Sequence, residues 1–197
     1  MIVAIAESSA SVVPVLEFRQ AASTAAAVTD YVNDYTPPRD PADYVGIDSG
    51  WSPGASELQS WWAVDGGVLV ERLADIQQDI IADIKTHRDA RFAATVMAEY
   101  PAASGNLFGC SMESQTNWGN LATLDSLGLL SYPFSVTTHD ELTTVVLAGS
   151  ADMTAAVAAV SAAVLAERAT ASTTITAVLA ATTAADAHAA AAGYLDS

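Results

Sequence analysis

The sequence predicts an α+β fold in which helices predominate: two long helices, a small β-hairpin and a short helix between them, and a small mixed N-terminal region. Three observations favour this fold. Hydrophobic residues make up 51% of the 197 residues, and many are alanine, which favours helix. Apolar side chains recur at steps of three and four over residues 69–87 and again from Met153 to Val178. Two β-branched runs, 133–138 and 142–147, flank a polar turn.

The first part of the chain is expected to form a small α/β attachment region over residues 1–65, followed by a helical domain over residues 66–197. Residues 12–18 carry β-branched side chains around Pro14, which predicts an edge strand because proline cannot donate a hydrogen bond to a neighbouring strand. Residues 21–35 are rich in alanine and place their larger apolar side chains at helical spacing, so a helix is expected there.

A glycine-punctuated, aromatic segment follows over residues 44–70. Asp65 and the two glycines after it predict a tight turn between two short extended runs, 60–64 and 68–70. The tryptophans of this segment are Trp51, Trp61 and Trp62. Tryptophan can stack on a sugar, but it more often caps a thin core. Core packing is therefore favoured, with glycan binding as the alternative.

The clearest helix of the sequence covers residues 69–99. Its apolar stripe consists of Leu69, Leu73, Ile76, Ile80, Ile84 and His87. Acidic residues recur every four positions on another face of the same helix. A histidine at the end of an apolar stripe is more often a partly buried packing residue than a ligand, so His87 is assigned to packing. Pro101 and Gly105 are expected to end the segment.

The middle of the chain predicts a short helix and a hairpin. Ser114 is a plausible N-cap for a helix that ends at Gly128. The two β-branched runs that follow predict a hairpin over about 133–147, with its turn at Asp140. A new helix is expected to start at Gly149 and Ser150.

The last segment predicts a long alanine-rich helix, because it contains neither proline nor glycine from Asp152 until Gly193. Its apolar seam consists of Met153, Val157, Val160, Val164, Ala171, Ile175 and Val178. If it is continuous, such a helix spans roughly 60 Å at about 1.5 Å per residue, which exceeds a small core. The seam therefore has to pack along the first long helix, project outward, or meet partner chains.

The charge balance limits the partners. Seven basic residues face 23 acidic ones, which gives a net charge of −16. Such a surface repels nucleic-acid phosphates and anionic lipid headgroups. The N-terminus has no basic region typical of a signal peptide, and no apolar run is expected to reach the ~20 residues that span a bilayer. The sequence predicts a cytoplasmically made protein that binds no nucleic acid and does not insert into a membrane.

No catalytic, cofactor-binding or metal-binding residue is predicted, so the protein is not expected to be an enzyme. The histidines, His87, His139 and His188, fall on different predicted elements without metal-ligand spacing. Cys110 is the single cysteine and is expected to be a semi-buried structural thiol. The carboxylate pairs that invite a calcium or glycosidase interpretation are Asp140 with Glu141, and Asp43 with Asp48. Neither pair shows the ligand ladder of a calcium loop, and a solvated acidic face is the favoured interpretation.

Three stretches together resemble a domain of unknown function found near the C-terminal end of tailed-phage tail proteins. They are residues 84–91 with the pair Arg88 and Asp89, the helix start at 114–118, and the strand 133–138 before the turn and the terminal helix. The resemblance covers roughly residues 70–190. No catalytic residue set comes with this family.

What the resemblance implies is a structural component of a virion, in the tail, tail fibre or baseplate. Its expected partners are other tail or baseplate proteins and copies of the same chain. Two alternatives remain open: a glycan-binding module of a tail fibre, and a tail-fibre assembly chaperone that is absent from the particle.

Overall fold

The structure, a computed structural model, describes residues 2–7, 13–21, 23–34, 44–48, 62–65 and 68–197. The fold is α+β and predominantly helical, as the sequence predicts. The chain divides into two compact units. The first comprises Met1–Asp79 with Ala181–Ala187, and the second comprises Ile80–Ala180 with His188–Ser197.

The first unit contains a five-stranded sheet with the strand order β3-β1-β2-β4-β5, in which all neighbours are antiparallel. The strands are β1 (Ile2–Glu7), β2 (Val13–Gln20), β3 (Tyr44–Asp48), β4 (Trp62–Asp65) and β5 (Val68–Glu71). The prediction of an edge strand around Pro14 is wrong, because β2 has a neighbour on each side. Pro14 is tolerated at the start of β2, where it lies opposite Ala63, while pairing to β1 begins only at Val15.

The predicted first helix is confirmed as α1 (Thr24–Asn33). Ser23 caps it, since its hydroxyl accepts a hydrogen bond of 3.2 Å from the Ala26 N–H. The buried residues of this core are Val3, Ile5, Ala27, Val28, Tyr31 and Val32. Gly46 of β3 lets α1 approach closely, because a Cβ there would lie 2.9 Å from the Thr24 carbonyl oxygen.

Strands β4 and β5 pair on either side of the turn predicted at Asp65, with Asp65 opposite Val68, while Gly66 and Gly67 lie outside the described residues. Trp62 on β4 is only 9% exposed. It therefore packs inside, as the favoured interpretation of the tryptophans requires. Trp51, Trp61 and Asp43 lie outside the described residues. Asp48 belongs to β3, but its side chain is not described.

The long helix α2 (Leu73–Ala94) confirms the predicted apolar stripe. Ile76, Ile80 and Ile84 are 1%, 3% and 0% exposed. The helix begins later than predicted because Leu69 belongs to β5. It ends earlier because the chain turns at Thr95 into a two-stranded hairpin, β6 (Met97–Glu99) and β7 (Leu107–Gly109).

The second unit continues with α3 (Met112–Ser126), the hairpin of β8 (Phe134–Thr137) and β9 (Thr144–Leu147), and α4 (Ser150–Ala180). Its core is lined by the C-terminal end of α2, by α3, by both hairpins and by α4. The largest of its buried residues are Phe92, Phe108, Trp118, Leu147 and Met153. The hairpin over 133–147 and the helix start at Ser150 are confirmed.

The N-cap of α3 was predicted one turn too late. Ser111 caps the helix, and Ser114 instead donates its backbone N–H to the Ser111 hydroxyl at 3.2 Å. The predicted end of α3 is correct, because Gly128 adopts φ +68°, a conformation that glycine favours after a helix.

The long alanine-rich helix predicted from Asp152 onward is confirmed as α4. The sequence left open whether it is continuous as far as Gly193, and the structure shows that it is not: α4 ends at Ala180, and a separate helix, α5 (Ala184–Leu195), follows. Thr183 begins α5 as its N-cap: its hydroxyl accepts from the Asp186 N–H at 3.1 Å and donates to the Asp186 carboxylate at 2.8 Å. This reciprocal capping competes with helix continuation and needs neither proline nor glycine.

Candidate interface groove

The second unit contains a cleft of about 580 Å³. It lies where the C-terminal end of α2, the first turns of α3 and the middle of α4 meet. Its lining residues are Arg88, Asp89, Phe92, Ala93, Met112, Gln115 and Arg168. We call this cleft the arginine groove. Its volume falls within the roughly 300–1,000 Å³ of typical binding pockets.

Local spacing places the groove residues on adjoining surfaces. Arg88 and Phe92 stand four residues apart on α2 and therefore share a face. Phe92 is 8% exposed and anchors the floor in the core. Gln115 is fixed by a 2.7 Å hydrogen bond from its side-chain amide to the Cys110 carbonyl oxygen. Met112 is 71% exposed at the groove edge.

The electrostatics of the groove run against those of the whole chain. Arg168 places its guanidinium 6.0 Å from the centre of the Phe92 ring, in a cation–π contact. Arg168 makes no ion pair with any residue that the structure describes. Arg88 pairs with its exposed neighbour Asp89 at 2.7 Å. In a chain with 23 acidic residues and seven basic ones, an arginine without an acidic partner marks a surface suited to an external carboxylate.

A second cleft of about 360 Å³ adjoins the arginine groove and shares Gln115 and Arg168 with it. It runs between α3 and α4. The side chains that line it are mostly apolar: Trp118, Gly119, Val157, Val160, Ser161, Val164 and Leu165. Leu165 is 63% exposed. The two clefts therefore form one continuous surface, cationic at one end and apolar at the other.

Helix α4 carries apolar residues beyond its buried stripe. The predicted seam is buried at Met153, Val160, Val164, Ala171 and Val178. Leu165 and Leu179 nevertheless remain 63% and 52% exposed. Apolar side chains exposed outside the buried stripe of a helix form a surface that a further element or another chain can cover.

Helix α4 also corrects the expectation that no apolar run is long enough to cross a bilayer. It has 31 residues, an 18-residue window with mean hydropathy 1.3, and 28% of that window buried. By length and composition it qualifies as a membrane span. Core helices meet the same criterion, and the buried stripe of α4 packs in the core of its own unit.

A buried carboxylate that the sequence analysis missed lies between α2, α4 and the chain end. Glu167 is 8% exposed and accepts a hydrogen bond of 2.7 Å from the Tyr194 hydroxyl. Arg91 Nη2 donates to it at 3.2 Å. Arg91 Nε lies 2.9 Å away, which is ion-pair distance, although its N–H is not directed at the oxygen. Burial and the Glu167 hydrogen bond raise the pKa of Tyr194 to about 12. The sequence spacing indicates this burial, since Glu167 continues the buried stripe of α4 three residues after Val164.

The residues considered for chemistry do not come together. Cys110 is fully buried, and burial raises the pKa of its thiol, which disfavours the reactive thiolate. His87 packs edge-on against Tyr194 at 5.3 Å, while His139 and His188 are exposed on other elements. Among the described residues, no group of three or more His, Cys, Asp or Glu side chains is arranged to hold a metal ion.

Asp140 and Glu141 occupy the hairpin turn, as predicted. Asp140 accepts a hydrogen bond from the Thr138 hydroxyl at 2.6 Å and one from the Leu142 N–H at 3.1 Å. These two bonds lower the pKa of Asp140 below its ordinary value. The carboxylate thus shapes the turn.

Comparisons with protein-family models, with curated proteins and with solved structures found no match to this chain. The site therefore has to be interpreted from its own geometry.

Proposed function

We propose that this chain is a non-catalytic structural component of a tailed-phage particle, in its tail, tail fibre or baseplate. It acts by assembling with copies of itself and with neighbouring tail proteins. The phage context comes from the resemblance of residues 70–190 to a tail-protein domain. The observation that supports assembly is α4, whose apolar residues extend beyond its buried stripe to the exposed Leu165 and Leu179.

The size of the exposed face suggests how much of an interface α4 provides. Its 31 residues span about 46 Å, and a strip about 10 Å wide along it covers roughly 500 Å². A stable complex buries about 800 Å² on each partner. Helix α4 therefore supplies a large part of an interface, and an adjoining surface has to supply the rest.

A matched pair of leucines tests the assembly surface. Leu165 on α4 and Leu127 at the end of α3 are 63% and 64% exposed. Leu165→Ser should weaken self-association about tenfold, because covering a half-exposed leucine contributes about 1.4 kcal/mol. Leu127→Ser should leave it unchanged. Sedimentation over a concentration and salt series measures both, and added salt should promote association by screening the repulsion between chains of charge −16.

Purified virions test the particle context. Mass spectrometry and immunogold labelling should find the chain in the particle at a fixed stoichiometry. A chain that binds fibres during assembly but is absent from virions would be a chaperone, and specific binding on a glycan array would favour the host-surface module. A monomer at every salt concentration, with strong hydrogen-exchange protection over residues 155–180, would overturn the assembly proposal.

A further inference from the structure

The tip of the β8–β9 hairpin is an exposed surface that combines acidic and apolar character. We call residues 139–142 the hairpin tip. Leu142 is 86% exposed, the highest value among the exposed large hydrophobic side chains of the described residues. Asp140 and Glu141 beside it are also exposed. Turns are normally built from small polar residues, so a leucine there is not explained by turn formation.

The hairpin tip is held in one conformation by its own hydrogen bonds. Asp140 bonds to the Thr138 hydroxyl and to the Leu142 N–H, as described above. The Thr138 hydroxyl lies 2.9 Å from the Thr143 carbonyl oxygen and 3.2 Å from the Thr143 nitrogen. Because the turn is already ordered, docking it into a partner costs little additional conformational entropy. Leu142 is therefore an exposed apolar side chain on an ordered turn, next to the carboxylates of Asp140 and Glu141.

The arginine groove has the complementary character. Arg168 has no acidic partner among the described residues, and it faces a cleft edged by Met112 and floored by Phe92. A leucine suits the apolar floor, and a carboxylate beside that leucine suits the guanidinium. The groove and the hairpin tip share no residue. Both belong to the same folded unit, in which the tip does not line its own groove. A hairpin tip that enters the groove therefore has to come from another copy.

We propose that the arginine groove of one chain receives the hairpin tip of a second copy, with Leu142 against Phe92 and Met112 and with Glu141 facing Arg168. This inference rests on the proposed self-assembly and adds the cationic half of the interface to the apolar half on α4. The contact joins two different surface patches, so it propagates from copy to copy and gives rings or filaments, or closes as a reciprocal dimer.

Charge reversal on the full chain tests this pairing. Arg168→Glu sets an acidic tip against an acidic groove, and Glu141→Arg sets a guanidinium opposite Arg168. Each variant should lower the self-association constant at least about tenfold, since close charge pairs across interfaces are strongly coupled. The double variant, and an equimolar mixture of the two single variants, should restore association. Asp83→Arg, which makes the same charge change as Glu141→Arg but at an exposed site outside both surfaces, is the matched control and should not weaken association.

The outcomes separate the two proposals. Single variants that associate like the wild type would overturn the docking proposal, and so would a double variant that stays dissociated while circular dichroism shows it folded. In either case the proposed function stands if the wild type still forms oligomers and the chain is present in virions. A wild type that is monomeric under every condition, with residues 155–180 strongly protected from hydrogen exchange, overturns both.

Discussion

Glu167 is the acidic side chain whose replacement is expected to perturb the second unit most. It is 8% exposed, and it holds together α2 through Arg91 and α5 through Tyr194. Glu167→Ala removes the carboxylate but leaves the guanidinium and the phenol in place. The guanidinium keeps its charge, and the phenol loses its acceptor.

The loss of unfolding free energy in Glu167→Ala depends on how exposed the Arg91 and Tyr194 side chains are once the carboxylate is gone. Removing one partner of a buried ion pair costs about 3–5 kcal/mol. The Arg91 side chain is 27% exposed and can reach water in part, so the lower end, about 3 kcal/mol, is expected. For a chain of this length that corresponds to a fall in Tm of about 6–12 °C. Tyr194→Phe removes a hydrogen bond to a charged group and should cost about 1.5 kcal/mol.

Urea unfolding of the two single variants and the double variant measures these effects. Because both changes remove the same hydrogen bond, the double variant should be more stable than the sum of the single effects implies. The pKa of Tyr194, followed by ultraviolet difference spectroscopy, should fall from about 12 in the Glu167→Ala variant, since only burial then raises it. Asp83→Ala, at an exposed position on α2, should change the free energy of unfolding by less than about 0.5 kcal/mol. A Glu167→Ala effect as small as that of the control would refute the buried pair.

Three further predictions concern the second unit. Ile84 is fully buried on α2, and its change to alanine should lower the free energy of unfolding by about 2–5 kcal/mol. Ile84→Asp should unfold the unit, whereas an unchanged melting temperature would mean that this face is exposed. Hydrogen bonds from Ser150 and Tyr132 lower the pKa of Asp125, so urea titrations should show stability lost as the pH falls below about 4; Asp125→Asn should weaken this dependence. His87 Nε2 is buried with no hydrogen-bond partner among the described residues, so His87→Phe should raise the melting temperature, whereas a fall would show that the nitrogen is hydrated.

The sequence correctly predicted the helices and strands whose buried apolar side chains recur at the spacing typical of that kind of element. The steps between Ile76, Ile80 and Ile84 match one face of a helix, and all three side chains are buried. The β8–β9 hairpin was predictable because its β-branched runs flank a polar turn. In these elements the local pattern and the tertiary packing agree, and the pattern alone was sufficient.

The features that were missed depend on choices between nearly equivalent local signals or on distant residues. Ser111 and Ser114 are both acceptable N-caps. In the structure Ser111 accepts the N–H of Ser114, and Gln115 in the first turn donates to the Cys110 carbonyl just before the cap, so the helix starts at the earlier serine. The break before Thr183 relies on a threonine cap that also fits within a continuous helix. The arginine groove brings together residues about 80 positions apart in the chain, and no local pattern encodes that distance.

The threonines of α4 bear on how its exposed face is used. Thr170, Thr174 and Thr176 are each exposed or partly exposed, yet each hydroxyl donates to the backbone carbonyl four residues earlier, at 3.0, 3.1 and 2.9 Å. A hydroxyl that is satisfied within its own helix can be buried by a partner without losing its hydrogen bond. These threonine hydroxyls therefore oppose burial by a partner less than their composition suggests. Thr176 shares a face of α4 with Leu165 and Leu179, since it stands eleven residues after the first and three before the second, so a second chain can pack on that face while this hydroxyl keeps its hydrogen bond.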